Sequence, residues 1–171
     1  MLLAVSCLAT TVAAQAKAAP AKASPFDTKA VVEIKSDGKV IPLKREEQIA
    51  YMFVNAIHEL ESNCGMSSAE PCTLPALIRG PKKKDDFGVG RLKFDPNASD
   101  PNYTYKLALK GADWEIWATP KKPGLGSFYA KGKFFGGTFY RAAGGTATAA
   151  DPKIDESSIS GDLFYHMFEG S

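Results

Sequence analysis

The sequence has almost no charge bias: 21 basic residues stand against 19 acidic ones in a chain of 171, a formal net charge of +2. So even a balance gives no general attraction to nucleic acid or to an anionic membrane surface, and neither is expected as a partner. Histidine is scarce, with only His58 and His166. His58 lies beside Glu59 in a helical stretch and His166 between Tyr165 and Met167, and neither has an identifiable chemical partner along the chain. No G-x-S-x-G elbow, phosphate-binding glycine loop, H-E-x-x-H or C-x-x-C occurs. Glu59 and Glu61 fall on different faces of the helix, which does not suit paired acid–base work. The chain is therefore read as non-enzymatic, with no catalytic residue, cofactor or metal centre. Long apolar runs are missing too. The uncharged stretch from Leu2 to Ala14 is well short of the roughly 20 residues a spanning helix needs.

That stretch has instead the length of a signal-peptide core, and Ala14-Gln15-Ala16 has the form of a cleavage site. Residues 1–16 are read as a signal peptide, with Cys7 admitting a second reading as a lipid-anchored cysteine. Export to the periplasm, cell surface or exterior follows, with no membrane span after signal removal. Residues 17–30 are rich in Ala, Lys and Pro, carry too little apolar bulk to fold, and are read as a tether. A globular domain is expected over 31–152 and a C-terminal tail over 153–171, polar over Asp155–Gly161. Of the three cysteines, Cys64 and Cys72 remain once the signal is removed. An even, closely spaced pair in an exported chain predicts a disulfide, since a metal site would need two more ligands nearby.

One stretch organises the rest. From Leu43 to Asn63, the apolar residues Ile49, Met52, Phe53, Ala56, Ile57 and Leu60 repeat at the spacing of one helical stripe. Pro42 suits the first turn, and Asn63 or Gly65 suits the stop. Before the helix, Val31–Ile34 and Lys39–Ile41 flank Ser36-Asp37-Gly38, a hairpin signal. After it, Tyr103, Tyr105, Leu107 and Leu109 alternate with polar or small residues. Trp114, Ile116 and Ala118 form an apolar face opposite Glu115, Trp117 and Thr119, and Ser127–Ala130 and Thr138–Arg141 supply two further strands. The predicted fold is α+β: one long amphipathic helix packed on an antiparallel sheet of about four strands, with an N-terminal hairpin.

Three further stretches are candidates for binding. Lys82-Lys83-Lys84-Asp85-Asp86 is read as a solvated loop, its aspartates neutralising most of the lysine field. Asp95, Asn97 and Asp100 offer oxygens at the start of a calcium-loop pattern, but Asp100 occupies the glycine position and Lys106 stands where a bidentate Glu belongs; the other reading is a turn. Trp117, Phe134 and Phe135 form a candidate exposed aromatic contact surface, or else pack beneath a loop. The tail Asp162–Phe168 is too apolar to stay free in water, and is expected to add an edge strand, dock on the body or engage a partner.

The order of these motifs resembles the globular half of bacterial type IV pilins and pseudopilins. The matching stretches are Tyr103–Tyr105, Thr119-Pro120, Gly126-Ser127-Phe128-Tyr129, Gly137-Thr138-Phe139-Tyr140-Arg141 and Ala147-Thr148-Ala149-Ala150-Asp151-Pro152. The likeness spans roughly residues 43–152. It implies a helix on an antiparallel sheet. The pilin leader and the apolar helix that packs a filament core have no counterpart here, Lys131 stands where those relatives tend to carry Asp, and Lys131–Gly136 reads as an insertion. The expectation is an exported structural or interaction protein of the bacterial envelope or exterior, acting through a protein partner or self-association, as a filament or secretion-apparatus subunit; the alternative is a soluble periplasmic binding or inhibitory module, and a secreted enzyme is the third reading.

Overall fold

The fold is built round α1 (Arg45–Ser67). In the computed structural model, which describes residues 24–67, 72–80, 90–133, 136–160 and 167–169, the six stripe residues are each at most 4% exposed. Burial goes further than the stripe, because Ala50, Tyr51 and Val54 are buried as well and Ile49–Val54 has no exposed position. A helix apolar all round must be enclosed rather than laid on one surface. The stretch IAYMFV, uncharged over six residues, carried that signal.

Two local features depart from expectation. The helix begins after Pro42, with the Lys44 amide donating to the Glu47 carboxylate (2.8 Å), so Pro42 lies outside the first turn. It also runs through Asn63, Cys64 and Gly65 to Ser67. A glycine inside a helix costs only about 1 kcal/mol, which tertiary packing overrides. Cys64 is joined to Cys72 by a disulfide with Cα atoms 5.9 Å apart, which brings α2 (Leu74–Arg79) against α1, and its Leu74 and Leu77 into the core.

Three antiparallel sheets surround the helix. The largest has five strands in sequence order: β4 (Tyr103–Lys110), β5 (Asp113–Pro120), β6 (Ser127–Lys133), β7 (Gly136–Ala142) and β8 (Lys153–Ile154). Its inner face meets α1 through ring contacts of Phe53 with Tyr105 (5.2 Å), Tyr51 with Phe128 (5.5 Å) and His58 with Trp114 (4.8 Å). The alternation read for β4 and β5 sets these inner residues. The expected count of about four strands falls short by β8, whose Lys153 pairs with Tyr140 and Ile154 with Phe139.

The N-terminal hairpin is β1 (Val32–Ser36) and β2 (Lys39–Ile41), closed by Asp37 and Gly38 at φ 50° and 70°, a primed turn suited to the strand twist. It is a three-stranded sheet rather than a ribbon, because β9 (Glu156–Ile159) pairs with β1. A third sheet joins β3 (Arg91–Leu92) to β10 (Phe168–Glu169). A short helix, α3 (Pro96–Ser99), precedes β4. Chain past residue 152 thus contributes a strand to each sheet. At the other end, part of the stretch read as a tether is folded: Ser24 caps a 3-10 turn, Pro25 and Ala30 are buried, and the Arg45 guanidinium donates to the Thr28 and Ala30 carbonyls. The signal peptide with Cys7, the Lys82–Asp86 run, Phe134–Phe135 and residues 162–166 of the apolar tail lie outside the described residues.

Candidate interaction surface

The outer face of the five-stranded sheet carries the side chains that alternate with the core. Register places Lys106, Trp117, Tyr129, Tyr140 and Lys153 in one row across all five strands. The rings stack on each other, Trp117 on Tyr129 at 5.3 Å and Tyr129 on Tyr140 at 5.7 Å, and the Lys106 ammonium sits over Trp117 at 5.1 Å. Cross-strand aromatic and cation–ring pairs of this kind each contribute roughly 0.5–1 kcal/mol. Tyr129 is buried with Ala142 and Ala147, so the loop after β7 closes over one side, while Trp117 and Tyr140 stay half-exposed.

Charge on this face is one-sided. Lys106, Lys110, Lys131, Lys133 and Lys153 are exposed, against Asp113 and Glu115. Both carboxylates are already occupied: Glu115 accepts from the Tyr129 hydroxyl, and Asp113 pairs with Lys133 at 3.3 Å. Burial, and then the Glu115 bond, push the Tyr129 hydroxyl up, keeping it a donor. Lys110 and Lys131, with Leu109, Asp113 and Glu115, line a groove of about 530 Å³ at the β4–β5 turn. Behind it Trp114 lies across Gly132 and Gly137, which face each other in the register; a Cβ at either would stand 2.6 Å from the indole. The paired glycines admit the large ring.

A second hollow, about 340 Å³, lies over Glu47 and Arg141. Glu47 is 3% exposed, yet accepts from the Lys44 amide, the Gly126 amide (2.8 Å) and the Arg141 guanidinium (2.6 Å). Burial opposes its charge, but these three donors outweigh that and hold the carboxyl below its ordinary value. Its function is to lock the start of α1 to the β5–β6 loop and β7. The sequence reading missed this role. A glutamate three residues after Lys44 hinted at the cap, but nothing local announced Arg141.

The other sequence candidates fall as follows. Cys64 and Cys72 are joined. Trp117 lies in the outer row, half-buried among neighbours rather than standing as a bare patch. Phe134 and Phe135 lie outside the described residues. Asp95, Asn97 and Asp100 of the calcium-loop reading lie in and beside α3, and their polar groups bond internally: Asp95 accepts from the Asn97 and Ala98 amides, Asn97 bonds the Tyr105 backbone, and Asp100 accepts from the Asn102 amide (2.8 Å) and the Tyr105 hydroxyl (2.5 Å). Burial and then Asp100 push the Tyr105 hydroxyl well up. Among the described residues, no three of His, Cys, Asp and Glu converge to hold a metal ion, and no helix is long and apolar enough to cross a membrane. His58 packs against Trp114 and Phe139. No family model matches the chain, and no curated protein or solved structure is found to match it.

Proposed function

We propose that the chain is an exported, non-catalytic interaction protein of the bacterial cell envelope or exterior, with a pilin-like body of one long helix on an antiparallel sheet, that engages an acidic protein partner through the outer face of that sheet. The observation that carries this reading is the row Lys106–Trp117–Tyr129–Tyr140–Lys153 on a face where lysines outnumber free carboxylates. Half-exposed Trp and Tyr side chains are of the kind that dominate protein contacts, and the lysines round them set the sign of charge a partner must present. Export is supported by the Cys64–Cys72 disulfide. Assembly through a pilin-style helix core is disfavoured, because α1 is already enclosed by its own body and is preceded by a folded hairpin.

The test places a photo-crosslinking residue at Trp117 in the native host, with a control at Val40, which is 54% exposed on another sheet. A discrete heterologous adduct at position 117, absent at 40, is expected. Adducts to further copies of the chain, with filaments in negative stain, would instead make it an assembling subunit. Equal labelling at both positions would remove the outer face as the binding surface.

A further inference from the structure

We propose that the free edge of β4 over Leu107–Leu109 is a strand-docking site, which adds to the sheet an extended partner segment with carboxylates on its outer side and apolar residues on its inner side. This rests on the reading of the outer face as the partner-binding surface and names how the partner is held. β4 is the edge strand of the five-stranded sheet, paired on one side with β5. Asn97 shows which of its backbone groups point away. The Tyr105 amide donates to the Asn97 side-chain oxygen (2.7 Å), and the Asn97 side-chain nitrogen donates to the Tyr105 carbonyl (3.0 Å). One side chain thus makes both bonds that a neighbouring strand would make. By alternation, Leu107 and Leu109 present their amides and carbonyls the same way, while Lys106, Ala108 and Lys110 bond to β5. Among the described residues no group outside the strand is bonded to the Leu107 or Leu109 backbone.

Edges this long are normally blunted by proline, bulges or very short strands. β4 has eight residues, no proline, and an unbroken register of eight pairs with β5. Its guards are Asn97 at one end and the exposed lysines Lys106 and Lys110 on the outer side. Those lysines select the occupant. In a second copy paired antiparallel with Leu107 opposite Leu109, each Lys106 would face a Lys110, a like-charge pairing that costs stability. The antiparallel register with Leu107 opposite itself brings the bonded Tyr105 against Leu109 and leaves a single open pair, and parallel pairing sets each lysine beside its own copy. An acidic partner strand reverses that sign. Opposite Lys106 and Lys110 it carries Glu or Asp. Opposite Leu107 and Leu109, which are half-buried at the rim of the core, it carries apolar residues that extend the inner layer. Main-chain bonds hold such a strand and the alternating side chains specify it.

The test is amide NMR and hydrogen exchange on the full, isotope-labelled chain, titrated with a synthetic peptide centred on Glu-Val-Thr-Val-Glu and, separately, on Lys-Val-Thr-Val-Lys. The acidic peptide is expected to shift and protect the Leu107 and Leu109 amides, with the basic one at least about tenfold weaker. In the double variant Lys106→Glu, Lys110→Glu, whose exposed positions leave the fold intact, the preference should invert. Failure of both peptides to protect Leu107 and Leu109 overturns the edge site. Should the acidic peptide perturb Trp117 and Tyr140 but not those two amides, the edge site fails while the outer face stands. If no residue of the sheet responds to either peptide, both readings fail together.

Discussion

Two buried glutamates pull the stability of this protein in opposite directions with pH. Glu61 is 8% exposed, its Oε2 has no hydrogen-bond partner, and burial pushes its carboxyl up to about 7. Because the folded value lies above the ordinary 4.5, the protonated form is the one the fold prefers. Stability from this group is whole below about pH 4.5 and falls as pH rises to about 7. Glu61→Gln should flatten that slope and raise stability at about pH 8 by about 1–3 kcal/mol, measured by urea unfolding across pH. Glu47 has the reverse sign. Its carboxyl is held below the ordinary value, so its contribution is present above about pH 4.5 and lost as pH falls through the folded value. Glu47→Ala is expected to cost about 3 kcal/mol near neutral pH, because the half-buried Arg141 guanidinium and the Gly126 amide lose their acceptor. Neither glutamate was legible as a core residue. Both stand on a helix beside apolar residues, where a charged side chain reads as solvent-facing, and the groups that hold Glu47, the Gly126 amide and Arg141, come from far along the chain.

At the scale of elements, α1 and the five-stranded sheet depend on a cross-link and on missing side chains. The Cys64–Cys72 disulfide closes a short loop, for which the chain-entropy relation gives about 2–3 kcal/mol. Cys64→Ser with Cys72→Ser should lower stability by that amount and speed hydrogen exchange at the end of α1 and in α2, leaving β4–β7 protected. Trp114 is fully buried against the glycine pair of β6 and β7 and cannot move away. Gly137→Ala is therefore expected to cost about 1–3 kcal/mol and to alter near-ultraviolet circular dichroism through that indole. The hairpin turn at Asp37-Gly38, the strands β4 and β5 and the disulfide were all legible because each is written in adjacent or nearly adjacent residues. The helix end was not. The helix continues through Gly65 to Ser67, since a glycine inside a helix costs only about 1 kcal/mol and does not by itself end one.

For the whole molecule, enclosure of α1 makes an isolated body the expected state. On the proposed reading of an exported protein, light scattering on protein purified from its native cells, with its N-terminus mapped by mass spectrometry, should give a monomer starting near Lys17; concentration-dependent growth would show that copies assemble despite the lysines on β4. By itself the sequence determined that a long amphipathic helix accompanies an antiparallel sheet, which residues of β4 and β5 face inward, and that two cysteines pair, since periodicity and short spacing are local properties of a chain. The tertiary structure alone decided that Ile49–Val54 of the helix is buried on every side, that chain beyond residue 152 returns to three sheets, that Glu47 meets Arg141, and that Asn97 leaves the rest of the β4 edge open. Each of these joins residues far apart in sequence, and such pairings are fixed by the closure of the core and of the sheet ladders, not by any pattern a short stretch can carry.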